Sequence, residues 1–168
     1  SDLEGYKYLN EVDVDCIRVG IGSGSSCTTR SKTGIGFGQW SSVNECFDYL
    51  INKCNNTFSL LERNAKIISD GGTLNKCGNK AKALATGSSA VMLGRTLAGT
   101  FESPGSIITK NNKKYKLFKG MASVMAQIDN NNSLSIDNEE GTDGLIELKD
   151  NVKNIIKDII SGIRSSLS

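Results

Sequence analysis

The clearest candidate for chemistry in this sequence is a thiol in a glycine-rich loop. Cys27 ends the run Gly22-Ser23-Gly24-Ser25-Ser26-Cys27, and Thr28, Thr29 and Arg30 follow it directly. A thiol among backbone N–H donors near the start of a helix can act as a nucleophile. The two threonines could position water or a proton, and Arg30 could stabilise negative charge. An ordinary loop cysteine remains the alternative.

Glycine also marks two later turns, Asp70-Gly71-Gly72 and Gly94-Arg95. Glycine lets backbone N–H groups approach an oxyanion closely, and the helix that follows adds a favourable dipole. Asp70 would repel a phosphate but suits the hydroxyls of a ribose, so the three turns together favour a nucleotide. The alternative is that these glycines only make tight turns between strands and helices.

The elements that must position these turns alternate between strand-like and helix-like segments. Apolar strands are predicted at 16–21, 65–69 and 90–93, and helices at 39–54 and 75–86. Another apolar helical turn begins at 96–98, after the third strand. Three strand–loop–helix units predict the α/β class with a parallel sheet, whose strands end at one edge.

The later part of the chain has a different pattern. Residues 102–144 are predicted to be an irregular flap or loop region, with one possible strand at 114–118. A last helix then begins at Asp150 or Asn151 as the N-cap. Its apolar stripe, which predicts packing into the core, consists of Val152, Ile155, Ile156, Ile159, Ile160 and Ile163.

Composition limits the function classes. The chain has 168 residues, with 20 Lys and Arg against 18 Asp and Glu, which fits one globular domain. A net charge of +2 argues against nucleic acid or an anionic membrane as the main partner. No stretch approaches the ~18 apolar residues that a membrane-spanning helix needs. The absence of histidine excludes Ser-His-Asp and Cys-His catalysis within this chain.

The cysteines favour a reducing compartment. Their number is odd and no CxxC spacing occurs, so neither a disulfide framework nor a zinc site is indicated. The pattern predicts mostly buried thiols in an intracellular, cytoplasmic protein. The five are Cys16, Cys27, Cys46, Cys54 and Cys77.

Several of these segments closely resemble motifs of the IMP dehydrogenase and GMP reductase family, in family order over nearly the whole chain. The motifs are residues 22–30, Ile68-Ser69-Asp70-Gly71-Gly72, Val91-Met92-Leu93-Gly94, residues 102–105, residues 115–123, Glu140-Gly141 and residues 161–165. The resemblance implies that 1–168 is one segment of a (β/α)8 barrel, comprising the last three βα units and the C-terminal helix. The missing N-terminal half, in the same or another chain, would carry the catalytic lysine and much of the cofactor site.

Within the family, the chain is more similar to the GMP reductases. Lys32-Thr33-Gly34, Glu45-Cys46 and residues 114–118 match the reductase pattern, and the Arg-Tyr pair with which the dehydrogenases activate water does not occur. The resemblance therefore implies NADPH-dependent reductive deamination of GMP to IMP and ammonia, a step of purine salvage. Two alternatives stay open: an IMP dehydrogenase that converts IMP to XMP with NAD, and a non-enzymatic half-barrel that serves as an interaction module.

The resemblance also implies roles for individual residues. Cys27 would attack C2 of the GMP base, while Thr29 and Glu140 handle protons as ammonia leaves. Asp70 would bind the ribose, and Met121 and Ala122 would meet the base. The phosphate would be held by Ser25, Gly71, Gly72, Gly94 and Arg95, and the substrate set is completed by Gly120 and Gly141.

A nicotinamide cofactor and a cation are implied in the same way. The cofactor contacts would come from Ile21, Gly22, Met121, Ser165 and Ser166, the two serines touching the dinucleotide of a neighbouring subunit in a homotetramer. A K⁺ site would involve Gly22, Gly24, Cys27 and Arg30.

Overall fold

A computed structural model describes residues 2–54, 64–72, 76–119 and 143–168 of the chain. They form two compact units, one made of Ser1–Gly24 and Gly36–Met92 and the other of Ser25–Ile35 and Leu93–Ser168. Helices and strands alternate in the first unit, which confirms the mixed α/β class. That the chain is a segment of a (β/α)8 barrel stays a prediction. No helix in the described ranges is long and apolar enough to cross a membrane.

The elements are numbered here in chain order. They are α1 (Leu3–Glu11), β1 (Cys16–Val19), α2 (Thr29–Thr33), α3 (Gln39–Lys53), β2 (Lys66–Asp70), α4 (Cys77–Ala85), β3 (Ala90–Met92), α5 (Arg95–Ala98), β4 (Ile107–Lys110), β5 (Lys113–Lys119), β6 (Asp143–Glu147) and α6 (Val152–Leu167).

The first unit contains the predicted parallel sheet, in the order β1-β2-β3. Val19 lies opposite Ser69, and Asp70 lies opposite Met92. Because the strands run in the same direction with this register, β1 and β2 end at the same edge. The predicted strands and the helix at 39–54 are confirmed, and the short helix α2 follows the glycine-rich run that ends at Cys27.

One face of this sheet is packed and the other is more open. Ile17 and Val19 on β1 and Ile67 on β2 are buried in a core with α1 and α3. The alternate side chains point to the opposite face, where Arg18 and Met92 are exposed. Parallel sheets are normally covered on both faces, so this open face is the less usual feature of the unit.

Helix α1 was not expected from the sequence, and it fixes the start of β2. Asp2 caps it by accepting a hydrogen bond from the N–H of Gly5 at 2.9 Å. The buried Tyr6 hydroxyl donates to the Ala65 carbonyl at 2.6 Å, and the Ala65 N–H donates to the Asn10 carboxamide at 2.9 Å. Burial also raises the pKa of Tyr6, which keeps this donor protonated.

The second unit contains an antiparallel sheet, β4-β5-β6. The expected strand at 114–118 lies within β5, but the irregular backbone expected before it is a hairpin. Asn111 and Asn112 both have positive φ, 51° and 58°, as the type I′ form of a two-residue hairpin turn requires. Asparagine tolerates this conformation, and that signal was missed. Residues 120–142 lie outside the described residues.

Helix α6 begins as predicted, because the Asn151 side chain accepts a hydrogen bond from the N–H of Asn154 at 2.9 Å. The predicted packing of its apolar stripe into the core is wrong for the described residues. No residue of α6 is buried, and Ile160 is 44% exposed. Periodicity identifies an apolar face but does not determine how much of it the same chain covers.

Replacing Tyr6 with Phe should destabilise the first unit. The change leaves the buried Ala65 carbonyl without its donor, so the free energy of unfolding should fall by about 1–2 kcal/mol. Urea denaturation measures it, with Tyr8→Phe as the matched control because Tyr8 is 67% exposed. Equal unfolding midpoints for the two variants would contradict this role.

Candidate functional site

The loops that follow β1 and β2 meet in the first unit. The Ser23 hydroxyl donates to Gln39 Oε1 at 2.7 Å and lies 3.1 Å from the Asp70 carbonyl oxygen. The Gly72 N–H donates to the Ser23 carbonyl at 2.9 Å. These contacts bring the first two predicted glycine turns together at the edge of the sheet.

The close approach of these loops requires glycine at two positions. A Cβ on Gly71 would lie 2.1 Å from Ser23 Oγ, and its φ is +95°. A Cβ on Gly20 would lie 2.1 Å from the Asp70 carbonyl oxygen. Packing between the loops therefore accounts for these glycines. The Gly72 N–H, expected to hold phosphate, is already used inside the protein.

The Asp70 side chain points to the open face of the sheet and pairs with an arginine. Its Oδ2 accepts a hydrogen bond from Arg18 Nη1 at 2.6 Å. The Asp70 side chain is 29% exposed and that of Arg18 is 60% exposed, so solvent reaches the pair. Asp70 therefore lies where a hydroxyl donor from solution could reach it, and Arg18 offsets part of its negative charge.

Sequence reasoning missed Arg18. The available signal was a lone charge inside an otherwise apolar strand. On a parallel neighbour of β2, that charge falls on the same face as Asp70.

In the second unit, two of the three candidate catalytic residues lie together. Cys27 is exposed, and its thiol donates to the Thr29 hydroxyl at 3.1 Å. Thr29 is the first residue of α2, a short helix that ends before Gly34, where φ is +71°. The arrangement places an accessible thiol beside a hydroxyl that can accept or relay a proton.

The carbonyls expected at the K⁺ site divide between the units. Gly22 and Gly24 belong to the first unit, and Cys27 and Arg30 to the second. The Arg30 carbonyl already accepts the Gly34 N–H at 3.1 Å, which makes it a weaker candidate ligand. No group of three acidic or cysteine side chains that could hold a metal ion occurs in the described part of the chain. The K⁺ site stays a prediction.

Two lysines fix the segment that begins with the third glycine turn. Gly94 and Arg95 are exposed at the start of α5. Lys149 Nζ donates to the carbonyls of Arg95 and Thr96 at 2.8 and 3.0 Å. The buried Lys116 Nζ holds the segment further along by donating to the Phe101 carbonyl at 2.8 Å. The backbone that presents Arg95 is thereby anchored.

The other expected site residues lie partly within and partly outside the described ranges. Ser25 is exposed, and Ile21 is half-buried. Ser165 and Ser166 are exposed in the last turns of α6, where their hydroxyls donate to the carbonyls of Ser161 and Gly162. Outside the described residues lie Gly120, Met121, Ala122, Glu140 and Gly141.

Comparison with known proteins places these features in one family. A family model for the IMP dehydrogenase / GMP reductase domain matches residues 1–168. The inosine-5'-monophosphate dehydrogenase of Nitrosopumilus maritimus is 39% identical, over 100% of this chain and 35% of that protein. GMP reductase 2 of Bos taurus and that of Homo sapiens are each 44% identical, over 90% of this chain and 41% of theirs. The chain thus spans little more than a third of the length of these relatives.

The cysteines should differ sharply in their rates of alkylation. Burial raises the pKa of the Cys46 thiol to about 11, whereas Cys27 and Cys16 are exposed. Because the thiolate is the nucleophile, iodoacetamide at pH 8 should modify Cys46 on the order of a hundredfold more slowly than an exposed thiol.

Peptide mass spectrometry of the folded chain measures these rates. Cys27→Ser should remove one fast label and leave that of Cys16. Denaturation of the unsubstituted chain should expose all five thiols. Equal rates at Cys46 and Cys27 in the folded chain would contradict the burial described here.

Proposed function

This chain belongs to the IMP dehydrogenase / GMP reductase family, and we propose that it supplies the thiol-bearing part of a GMP reductase. The reaction is the reductive deamination of GMP to IMP and ammonia. The observation that carries the proposal is an exposed Cys27 thiol within hydrogen-bond distance of the Thr29 hydroxyl, inside the loop that resembles the family's active site.

The proposed reaction begins with bond formation at Cys27. Its sulfur attacks C2 of the guanine, and the C2–amino bond breaks as ammonia leaves. Thr29 lies close enough to the sulfur to relay the thiol proton, accepting it while its own hydroxyl proton moves on. Glu140, assigned by resemblance, would receive that proton and deliver it to the leaving amine. A bound NADPH would supply the hydride that replaces sulfur at C2. Cys27 then departs as a thiolate, and IMP is released.

The described residues suit the cofactor only in part. Ser165 and Ser166 are exposed, and each hydroxyl keeps acceptor capacity while it donates within α6. Neither carries the positive charge that usually recognises the 2′-phosphate of NADPH. If these serines contact a dinucleotide, selection between NADPH and NADH has to come from other residues.

Asp70 and Arg95 are the described residues whose surroundings support substrate binding. Asp70 supports ribose binding, because its carboxylate is accessible on the open face of the sheet. Arg95 is exposed, and its guanidinium group can bind a phosphate in a bidentate manner, so it supports phosphate binding. Each assignment is supported by the exposure of the side chain within its own unit and by the order of the family motifs along the chain.

The proposed enzyme also needs the rest of a barrel. The chain spans 35–41% of its relatives, and its parallel sheet has one open face with β1 and β3 at the edges. Such a face and such edges are normally covered, which supports completion by the preceding half of a (β/α)8 barrel in the same or another chain. A cytoplasmic homotetramer is part of the same proposal.

An IMP dehydrogenase is the second candidate. The relative from Nitrosopumilus maritimus matches the full chain, whereas the GMP reductases match 90% of it. The two reactions use the same thiol, so the substrate pair distinguishes them.

The test combines turnover with protection of the thiol. The chain, joined to the N-terminal half of a family barrel, should oxidise NADPH in the presence of GMP and should reduce no NAD with IMP. GMP should slow alkylation of Cys27 but not that of Cys16. Cys27→Ala should abolish turnover, with Cys54→Ala as a control away from the loop.

Reduction of NAD with IMP would support the dehydrogenase instead. Binding of GMP without turnover in the completed barrel would support an interaction module. Unchanged turnover in Cys27→Ala would rule out the covalent mechanism.

Replacing Asp70 with Asn tests the ribose contact. Loss of a charged acceptor should raise the dissociation constant for GMP by about tenfold, as measured by calorimetry. Asp48→Asn is the matched control, since Asp48 is an exposed aspartate on α3 that accepts a hydrogen bond from Asn44. Equal GMP affinity in the two variants would contradict the assignment of Asp70.

A further inference from the structure

The carboxamide of Gln39 makes three hydrogen bonds at the edge of the parallel sheet. Nε2 donates to the Val19 carbonyl at 2.8 Å and to Ser69 Oγ at 3.0 Å. Oε1 accepts from the Ser23 hydroxyl at 2.7 Å. The Val19 carbonyl can only accept, so the amide nitrogen must face the strands and the oxygen must face the loop.

These bonds connect parts of the chain that are far apart in sequence. Val19 is the last residue of β1, Ser69 is the residue before the end of β2, and Ser23 lies in the first loop. The Gln39 stem reaches the second loop as well, because a Cβ on Gly72 would lie 2.5 Å from Gln39 Cβ. One side chain therefore contacts both strand ends and both loops.

Ser69 shows that this contact is built into the core. It occupies a position on β2 that alternates with the buried Ile67 and is itself fully buried. A buried hydroxyl requires a partner, and Gln39 Nε2 provides one. The polar pair thus occupies a site where an apolar residue would be the usual choice.

We propose that Gln39 is the positioning residue that holds the Ser23 loop and the Asp70–Gly72 loop in their binding arrangement. The inference rests on the proposed function in one respect, which is that GMP is the ligand of these loops. Gln39 is not assigned contact with a reacting atom; it acts through Ser23 and through the strand ends.

Glutamine fits this position better than its nearest substitutes. The site needs two N–H donors and one acceptor on a planar group at a fixed reach. Glutamate has no donor for the Val19 carbonyl, methionine has neither group, and asparagine is one methylene shorter. Gln39→Met keeps the length and most of the volume, so it removes the hydrogen bonds without opening a large cavity.

The experiment compares Gln39→Met, Ser69→Ala and the matched control Asn44→Met. Asn44 is a half-buried amide on the same helix, and it donates to Asp48. Hydrogen exchange in peptides that contain residues 20–24 and 70–72 reports on the loops, and calorimetry of the completed barrel gives the GMP dissociation constant. Gln39→Met should raise both the exchange rates and the dissociation constant about tenfold. Ser69→Ala should give a smaller effect, and Asn44→Met none.

The alkylation rate of Cys27 without nucleotide and the exchange of the α3 and β1 core should stay at their wild-type values in Gln39→Met. Two results would overturn the inference. One is faster hydrogen exchange throughout the first unit in Gln39→Met, which would indicate a purely structural role. The other is unchanged hydrogen exchange in the two loops. If wild-type protein does not bind GMP, the proposed function fails, while the exchange pattern still decides whether Gln39 holds the loops.

Discussion

The parallel register of β1 and β2 is the constraint on which the rest of the first unit depends. Val19 opposite Ser69 ends both strands at the same level, so the loops that follow must share one edge. The loops then approach so closely that side chains at Gly20 and Gly71 would overlap Asp70 and Ser23. Their conformations are consequently coupled, and a ligand held by one loop depends on the other.

A shift of this register would have chemical consequences. Because side chains alternate along a strand, moving β2 by one residue would turn Asp70 towards the helices and Ser69 towards the open face. Buried Ile67 opposes that shift by packing with Ile17 and Val43 in the core. Tyr6 and Asn10 oppose it as well, since both bind the backbone at Ala65. Core packing thus supports the placement of a carboxylate that would bind the ribose.

The sequence predicted the elements with strong periodicity and missed those that depend on contacts or on weak local signals. β-Branched runs and the stripe on α3 identified the sheet and its main helix. Helix α1 has only nine residues. It holds the start of β2 through hydrogen bonds from Tyr6 and Asn10 to Ala65, which is distant in sequence. The role of Gln39 also depends on three partners from separate segments. For Cys27 and Asp70, the glycine-rich turns identified candidates, but the Arg18 partner of Asp70 emerged only from the strand register.

Direct observation of a bond between Cys27 and the purine is the most informative measurement. Acid quenching of the completed barrel with GMP, followed by peptide mass spectrometry, should find the Cys27 peptide heavier by the mass of GMP minus ammonia. Cys27→Ala should carry no such adduct. Measurable turnover without an adduct at Cys27, or with the adduct on another residue, would contradict the account.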